Sequence, residues 1–283
     1  VAGISGESID VTARAQRPQS LIVTIYGAYS RQLGGWFPVS SLVDMLTLVD
    51  IDQSSVRGAL SRMKRRGIVL AERHNGLAGY ALAPVARTTF DLGDARVLQR
   101  RHPPADMGWV LAAFSIPETK RDVRYRLRSR LSAIGSAQVS GGLWIAPRQL
   151  EQDLRHVVSS LQIQQCVDLF TAEHIGFRPS AQVVRQWWDL DAIADLYTSF
   201  TKAFRPMANR WKAPARASQS RAAFADYTRA LTAWRAIPYL DPGLPAAYLP
   251  KSWPGRTGTA VFFDIHDKLA GQALAFAREQ IPT

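Results

Sequence analysis

The sequence predicts an α+β fold of several domains, and three observations carry that prediction. Residues 14–88 run helix, helix, short turn, basic helix and two-stranded hairpin. Residues 104–178 run strand, helix, strand, strand, helix, strand, and residues 180–283 read mainly as helix. The chain has 283 residues, enough for two or three domains of the usual size of about 100–200 residues. Apolar residues make up 47% and charged residues 20%, a balance that can bury real cores.

The first helix is "PQSLIVTIYGAYS", Pro18 to Ser30, strongly apolar with a proline at its start, where the missing N–H costs nothing. "PVSSLVDMLTLV", Pro38 to Val49, gives a second helix with Ser40 or Ser41 as cap and Leu42, Val43, Leu46 and Val49 inward. After the break "DIDQ" comes "SSVRGALSRMKRRG". Val56, Ala59, Leu60 and Met63 recur at i, i+3, i+4 and i+7, one face of an amphipathic helix. Arg57, Ser61 and Lys64 share a second face, with Arg62, Arg65 and Arg66 beside it. Asp52 and Ser54 are both N-cap candidates, and Gly67 suits the C-terminal stop. "IVLAE" and "LAGYAL" then read as two strands around "RHNG", where Asn75-Gly76 tolerates the positive φ of a hairpin turn.

That order is the order of a winged helix-turn-helix, in which the second helix of the pair enters the major groove and the hairpin is the wing. A charged helix alone is more often a solvated face. Here the net charge is +12, from 35 Lys+Arg against 23 Asp+Glu, which favours an anionic partner. Between Gln53 and Asn75 six basic residues face the single acid Glu72. Arg57 and Arg62 are candidates for base or phosphate contact, because Arg is the usual bidentate reader of guanine. Ser54, Ser55, Ser61, Lys64 and Arg65 are candidates for phosphate contact, which fixes register without reading sequence. Arg73, His74 and Asn75 stand near the wing tip.

From Gly108 the texture changes. "WVLAAFSIP" is a buried strand closed by Pro117, and "RDVRYRLRSRLSAIG" is a helix with Val123, Leu127 and Leu131 inward and arginines outward. "AQVSGGLWIAP" supplies two strands around Gly-Gly. "QLEQDLRHVVSSLQ" is a helix with Leu150, Leu154, Val157, Val158 and Leu161 inward, and "CVDLFTAEHI" is the last strand. The order β-α-β-β-α-β fits a ferredoxin-like unit with two helices on one sheet face. Beyond "GFRPS", the helical stretch "VVRQWWDLDAIADLYTSFTKAF" leads to a basic loop-like patch, "NRWKAPARASQSR". "AAFADYTRALTAWRAI" and "TAVFFDIHDKLAGQALAFAREQ" are further helices, separated by the rigid, proline-rich "PYLDPGLPAAYLPKSWPG". Residues 1–13 read as a mobile arm and "RRHPP" as a connector, with part of Arg87 to Gln99 helical.

Three segments carry a family resemblance. "SVRGALSRMKRRGIV", "YRLRSRLSAIGSAQVSGGLWIAP" and "YLDPGLPAAYLPKSWPG" resemble signature stretches of the PaaX family, bacterial repressors of phenylacetic acid and related aromatic catabolism. The last is the most specific, because its spaced prolines and Trp253 are not a generic pattern. Gly58 and Met63 replace commoner residues of the family's reading helix. The resemblance implies a winged-helix reader, a central domain similar in shape to the small CRISPR-associated nucleases, and a helical C-terminal domain. It also implies a homodimer on a palindromic operator, released by an aryl-CoA thioester. Such an effector has an apolar acyl end and anionic phosphates, so its pocket would combine aromatic walls with basic groups. Trp144, Trp187, Arg205, Arg210 and Arg235 are the candidates, with Trp188, Trp234 and Lys212 beside them; aromatics at helical spacing serve equally as plain core.

Other chemistries are weaker in the sequence. A nuclease of the CRISPR-associated kind would need an acid near the end of its first strand, and Glu118 comes only after Pro117 with no obvious second carboxylate. His266 stands beside Asp264 and Asp267, but the three do not share a helix face, and Asp264 is as readily a cap. Cys166, the single cysteine, excludes an intramolecular disulfide and a multi-cysteine zinc site and reads as a small core residue. No G-x-S-x-G, P-loop or Rossmann pattern appears. No apolar run spans a bilayer and no secretory signal is visible, so the cytoplasm is expected. The expectation is a ligand-responsive transcriptional repressor with no catalytic activity, cofactor or metal. The alternatives are a metal-dependent nucleic-acid-processing enzyme with a winged module, and a DNA-binding protein that senses no ligand.

Overall fold

The computed structural model describes residues 13, 15–84, 86–87, 96–98 and 108–281. The 1–13 arm, residue 13 excepted, and the "RRHPP" connector lie outside them, as does most of the stretch from Arg87 to Gln99, of which 96–98 are helical. Among the described residues the chain is a mixed α+β structure with two small antiparallel sheets. It forms two compact units, each drawn from separated stretches. Within the described residues, one unit joins the stretch inside Arg100–Asp195 to Ile237–Pro254. The other joins the stretches inside Asp10–Gln99, Leu196–Ala236 and Gly255–Thr283.

The second of these units begins with helix α1, Pro18–Tyr29, which has proline in its first turn and buries Leu21, Ile22, Ile25, Tyr26 and Tyr29. Strand β1, Trp36–Pro38, leads directly into helix α2, Val39–Thr47. The sequence places that helix from Pro38 with a serine cap. Instead Pro38 ends the strand, and Ser41 lies inside the helix with its hydroxyl donating to the Gln280 carbonyl. Leu42, Met45 and Leu46 face inward, while Val43 is only half-buried. Asp50 takes a positive φ of 65° in the turn before helix α3, Gln53–Arg65. Strands β2, Val69–His74, and β3, Leu77–Leu82, form the hairpin, with Asn75 and Gly76 at φ 49° and 79°. The sheet order β1-β3-β2 puts β3 in the middle. A Cβ on Gly79 of β3 would come within 2.4 Å of the Trp36 ring and 2.5 Å of the Phe37 carbonyl, so the strands approach this closely only because Gly79 has none.

Three long helices complete this unit's core. Helix α7, Leu190–Arg210, enters it beyond residue 195; α8 is Ser220–Trp234 and α9 is Gly255–Glu279. Trp234 stacks on Phe262 with ring centroids 4.6 Å apart, and Phe200 meets both rings. Helix α1 packs on α8. The Tyr29 ring lies 5.5 Å from that of Phe224, and its hydroxyl is 3.3 Å from Thr228 Oγ1. Thr232 Oγ1 donates to Thr24 Oγ1 at 2.8 Å, which donates on to the Ser20 carbonyl at 3.0 Å. These hydroxyls are fully buried, and pairing them removes a desolvation cost of about 1–3 kcal/mol each.

In the first unit, strand β4, Trp109–Phe114, is followed by helix α4, Arg121–Ala133, and by strands β5, Ala137–Ser140, and β6, Leu143–Pro147. Helix α5, Glu151–Ser160, and strand β7, Val167–Ala172, complete the series. The sheet order is β5-β6-β4-β7, with every neighbouring pair antiparallel. Val110, Ala112, Trp144 and Ala146 turn one sheet face toward Leu127, Leu131, Leu154, Val157 and Val158 of the two helices. Burying each larger aliphatic side chain is worth about 1.5–3 kcal/mol. Trp109 alternates with Val110 and serves the other face, where it meets Trp187, Trp188 and Tyr248. The proline-rich segment is held in this unit by Gln149, whose Nε2 donates to the carbonyls of Pro242 and Gly243 at 3.0 and 2.9 Å. The stretch from Val183 onward is broken at Trp188: helix α6, Ser180–Trp187, ends there, and Asp189 caps α7 by accepting from the Ala192 N–H.

Candidate nucleic-acid interface

Helix α3 separates its faces cleanly. Val56, Ala59, Leu60 and Met63 are essentially inaccessible, whereas Ser54, Arg57, Ser61, Arg62, Lys64 and Arg65 are exposed and Ser55 is half-buried. Ser54, Arg57, Ser61 and Lys64 follow one another along a single outer stripe. Of the two cap candidates, Asp52 holds the position. Its Oδ1 accepts from the Ser55 N–H at 2.9 Å and from Ser54 Oγ at 2.5 Å. Those donors hold the Asp52 carboxyl well below the usual carboxylate range. The Gln53 amide oxygen, turned to satisfy both groups, accepts from Arg57 Nε and Nη2 at 3.2 and 2.8 Å. Gln53 thus steadies Arg57 without neutralising it, a role that nothing in the local sequence pattern marks. Arg62, Lys64 and Arg65 lie in the last turn, where the helix dipole favours cations.

The outer part of the hairpin, residues 70–78, is exposed, Arg73, His74 and Asn75 with it, while Val69, Gly79, Ala81 and Leu82 are buried. Arg73 and His74 lie in the strand itself, so of the three only Asn75 belongs to the turn. The His74 ring stacks on Trp36 at 4.5 Å and its Nε2 is 3.2 Å from Glu72. Tyr26 Oη donates to the Tyr80 carbonyl at 2.7 Å and ties α1 to β3. Burial pushes the Tyr26 hydroxyl far above its ordinary range, so it remains a donor. Behind α3, Arg229 of α8 reaches the turn between α2 and α3: its Nη2 lies 2.6 Å from Asp50 Oδ2 and 3.4 Å from the Leu48 carbonyl. No local sequence signal pairs Arg229 with a turn about 180 residues earlier.

The effector candidates fall in both units. Trp144 is enclosed in the core between sheet and helices. Trp187 is half-buried on the other sheet face, edge-on to Trp109. In the second unit, Arg205 is exposed, Arg210 pairs with Asp226 at 2.7 Å, and Arg235 Nη1 lies 3.3 Å from Thr24 Oγ1. Trp234 is core. The remaining candidates have structural partners. Glu118 is paired with Arg124 at 2.9 Å, and no group of three metal-competent side chains occurs among the described residues. His266 Nδ1 is 2.8 Å from Tyr227 Oη. Asp264 lies inside α9, which begins at Gly255, and pairs with Lys268 at 2.7 Å; it is not a cap. Cys166 is half-buried against the central core. Among the described residues, no helix is long and apolar enough to cross a membrane.

Comparison with known proteins covers the same stretches. Residues 17–85 match the PaaX-like protein family, residues 102–184 the PaaX protein central Cas2-like domain, and residues 188–279 the PaaX-like protein C-terminal domain. The chain is 25% identical over 267 residues to the transcriptional repressor PaaX of Escherichia coli (strain K12), covering 92% of this chain and 83% of that protein. Its fold is similar to the solved structure of the uncharacterized protein Rv0674 from Mycobacterium tuberculosis. The TM-score is 0.52 and the identity 22%, over 92% of this chain and 98% of that one. With three successive matches running from residue 17 to residue 279, the chain belongs to the PaaX family.

Proposed function

We propose that the chain is a DNA-binding transcriptional repressor of the PaaX type, which reads an operator as a homodimer and is released by a small aryl-CoA-like effector. One observation carries the reading: helix α3 buries its apolar face completely and presents an exposed, cationic outer face. In this reading residues 14–88 are a winged helix-turn-helix and α3 lies in the major groove. Arg57 and Arg62 contact base edges or phosphates, and Ser54, Ser55, Ser61, Lys64 and Arg65 position the backbone. Arg73, His74 and Asn75 of the hairpin follow the flanking duplex. The central sheet order, with its two helices on one face, supports the ferredoxin-like reading of residues 104–178. Residues 180–283 then serve the effector and the dimer; Arg205, Arg210 and Arg235 are the effector candidates in the second unit, and Trp144 and Trp187 those in the first. The curated relative's name supports repression rather than catalysis. Release requires that the effector bind the DNA-free form more tightly than the DNA-bound form.

The test is fluorescence anisotropy with a duplex from the chain's own gene neighbourhood and a scrambled duplex of equal length, across a salt series. The native duplex is expected to bind at least about a thousandfold more tightly at physiological salt. Equal binding of both would remove the sequence-reading assignment. An aryl-CoA thioester is then titrated into the complex, and an unchanged anisotropy would remove the effector.

A further inference from the structure

Helix α4 of the central unit carries a second cationic surface. Arg121, Arg124, Arg126, Arg128 and Arg130 fall within ten residues, and only two of them are balanced: Arg124 by Glu118 at 2.9 Å and Arg126 by Asp122 at 3.6 Å. Arg121, Arg128 and Arg130 have no ion-pair partner among the described residues. Arg128 Nη2 donates to the Gly141 carbonyl at 2.7 Å, and Arg130 Nη1 donates to Ser160 Oγ at 2.6 Å. A carbonyl and a hydroxyl orient a guanidinium but leave its full charge in place. Arg121, Tyr125 and Arg128 stand at i, i+4 and i+7 in a stripe along one flank of the helix, beside the inward Leu127 and Leu131; Arg121 and Tyr125 are exposed and Arg128 is half-buried. Tyr125 in the middle of that stripe is 75% exposed, unusual for an aromatic side chain of a well-packed helix. Helix α5, on the same sheet face, is charged in the ordinary mixed way, with Arg155 paired to Glu151 at 2.9 Å. A requirement for solubility alone would be met by that kind of mixture.

We infer that the Arg121–Tyr125–Arg128 stripe of α4 is a second nucleic-acid contact, which binds the phosphate backbone of duplex DNA without reading its sequence. Seven residues of helix separate the two arginines by about 10.5 Å. One strand of a duplex presents a phosphate every 3.4 Å or so along its axis, so both guanidiniums can reach phosphates of one strand. Arginine takes phosphate oxygens bidentately, and the tyrosine hydroxyl donates to another. Arg128 is already aimed by Gly141, so less ordering is needed on binding.

The inference rests on the reading of the chain as a duplex binder, and its test separates the two. The full chain and the Arg121→Gln/Arg128→Gln variant are titrated with native and scrambled duplexes over a salt series. Each lost phosphate contact lowers the slope of log affinity against log salt by about 0.9, so a drop of about 1.8 is expected on both duplexes. The ratio of native to scrambled affinity is expected to stay at the wild-type value, whereas Arg57→Ala lowers that ratio. If the double variant melts early, Arg121→Gln alone, which removes no side-chain hydrogen bond among the described residues, is expected to lower the slope by about 0.9. A folded variant with the wild-type slope would overturn the second contact even where sequence reading by α3 stands. A wild-type chain that binds both duplexes alike but loses slope in the variant would support the stripe and remove the reader.

Discussion

Arg57 is the residue on which the reading helix turns. It is exposed, steadied by Gln53 and free of any carboxylate among the described residues. Arg57→Ala is expected to weaken specific DNA binding by about 1–3 kcal/mol while leaving the melting temperature near that of wild type, as anisotropy and a thermal melt would read. Asp52 acts one turn earlier. Its acidity is raised in the fold by Ser54 and Ser55, and the sign of the linkage follows. A carboxylate whose folded value lies below its unfolded value of about 3.9 contributes stability that is fully present above that pH and lost as the pH falls through the folded value. Asp52→Ala is therefore expected to melt earlier than wild type at neutral pH, with the gap closing as the pH is lowered below about 4. A gap of constant size across that range would mean that the carboxylate charge plays no part in the cap.

Among the elements, two glycines give opposite expectations. Gly58 lies inside α3, where a Cβ would meet only Arg62 Nη1, the end of a flexible side chain, at 3.3 Å. Gly58→Ala is expected to raise stability by about 0.5–1 kcal/mol in urea titration, the ordinary difference in helix propensity. Gly79→Ala drives a methyl group into Trp36 and the Phe37 carbonyl, and a loss of about 1–3 kcal/mol is expected in the same titration. These elements also show what the sequence made legible. The period of Val56, Ala59, Leu60 and Met63, the Asn75-Gly76 turn and the alternation of strands and helices from Trp109 to Ala172 all appear where local pattern placed them. Strand β1 was not legible, because three residues show no alternation and its partner β3 lies some 40 residues away. The cationic outer face of α3 was legible as well, but the stacking of His74 on Trp36 was not, since it depends on β1.

On the scale of the whole molecule, the N-terminal helices share one core with α8 and α9. Phe224, fully buried against Tyr29, belongs to that shared core. Phe224→Ala is expected to cost about 3–5 kcal/mol and to lower the melting temperature. DNA binding is expected to be lost together with the cooperative transition, and retention of full DNA affinity in a chain with melted C-terminal helices would show that the N-terminal helices stand alone. Contacts of this kind were beyond sequence reading. Neither the pairing of Thr24 with Thr232 nor that of Asp50 with Arg229 leaves any mark in local composition.

The discontinuous build of the two units also bears on how the chain is made. The first helix emerges from the ribosome long before the helices that cover it. At about 5–20 residues per second, the roughly 200 residues between the hairpin and the end of α9 take on the order of 10–40 s to synthesise. Until α8 is made, Tyr29 has no Phe224 and Thr24 no Thr232 to meet, and until the end of the interval Ser41 has no Gln280 carbonyl to reach. Helix α1 is thus made early and completed late. A nascent chain stalled before α9 would hold an apolar surface of α1 open to chaperones, and a stop codon ahead of α9 would damage the packing of a helix encoded far upstream of it.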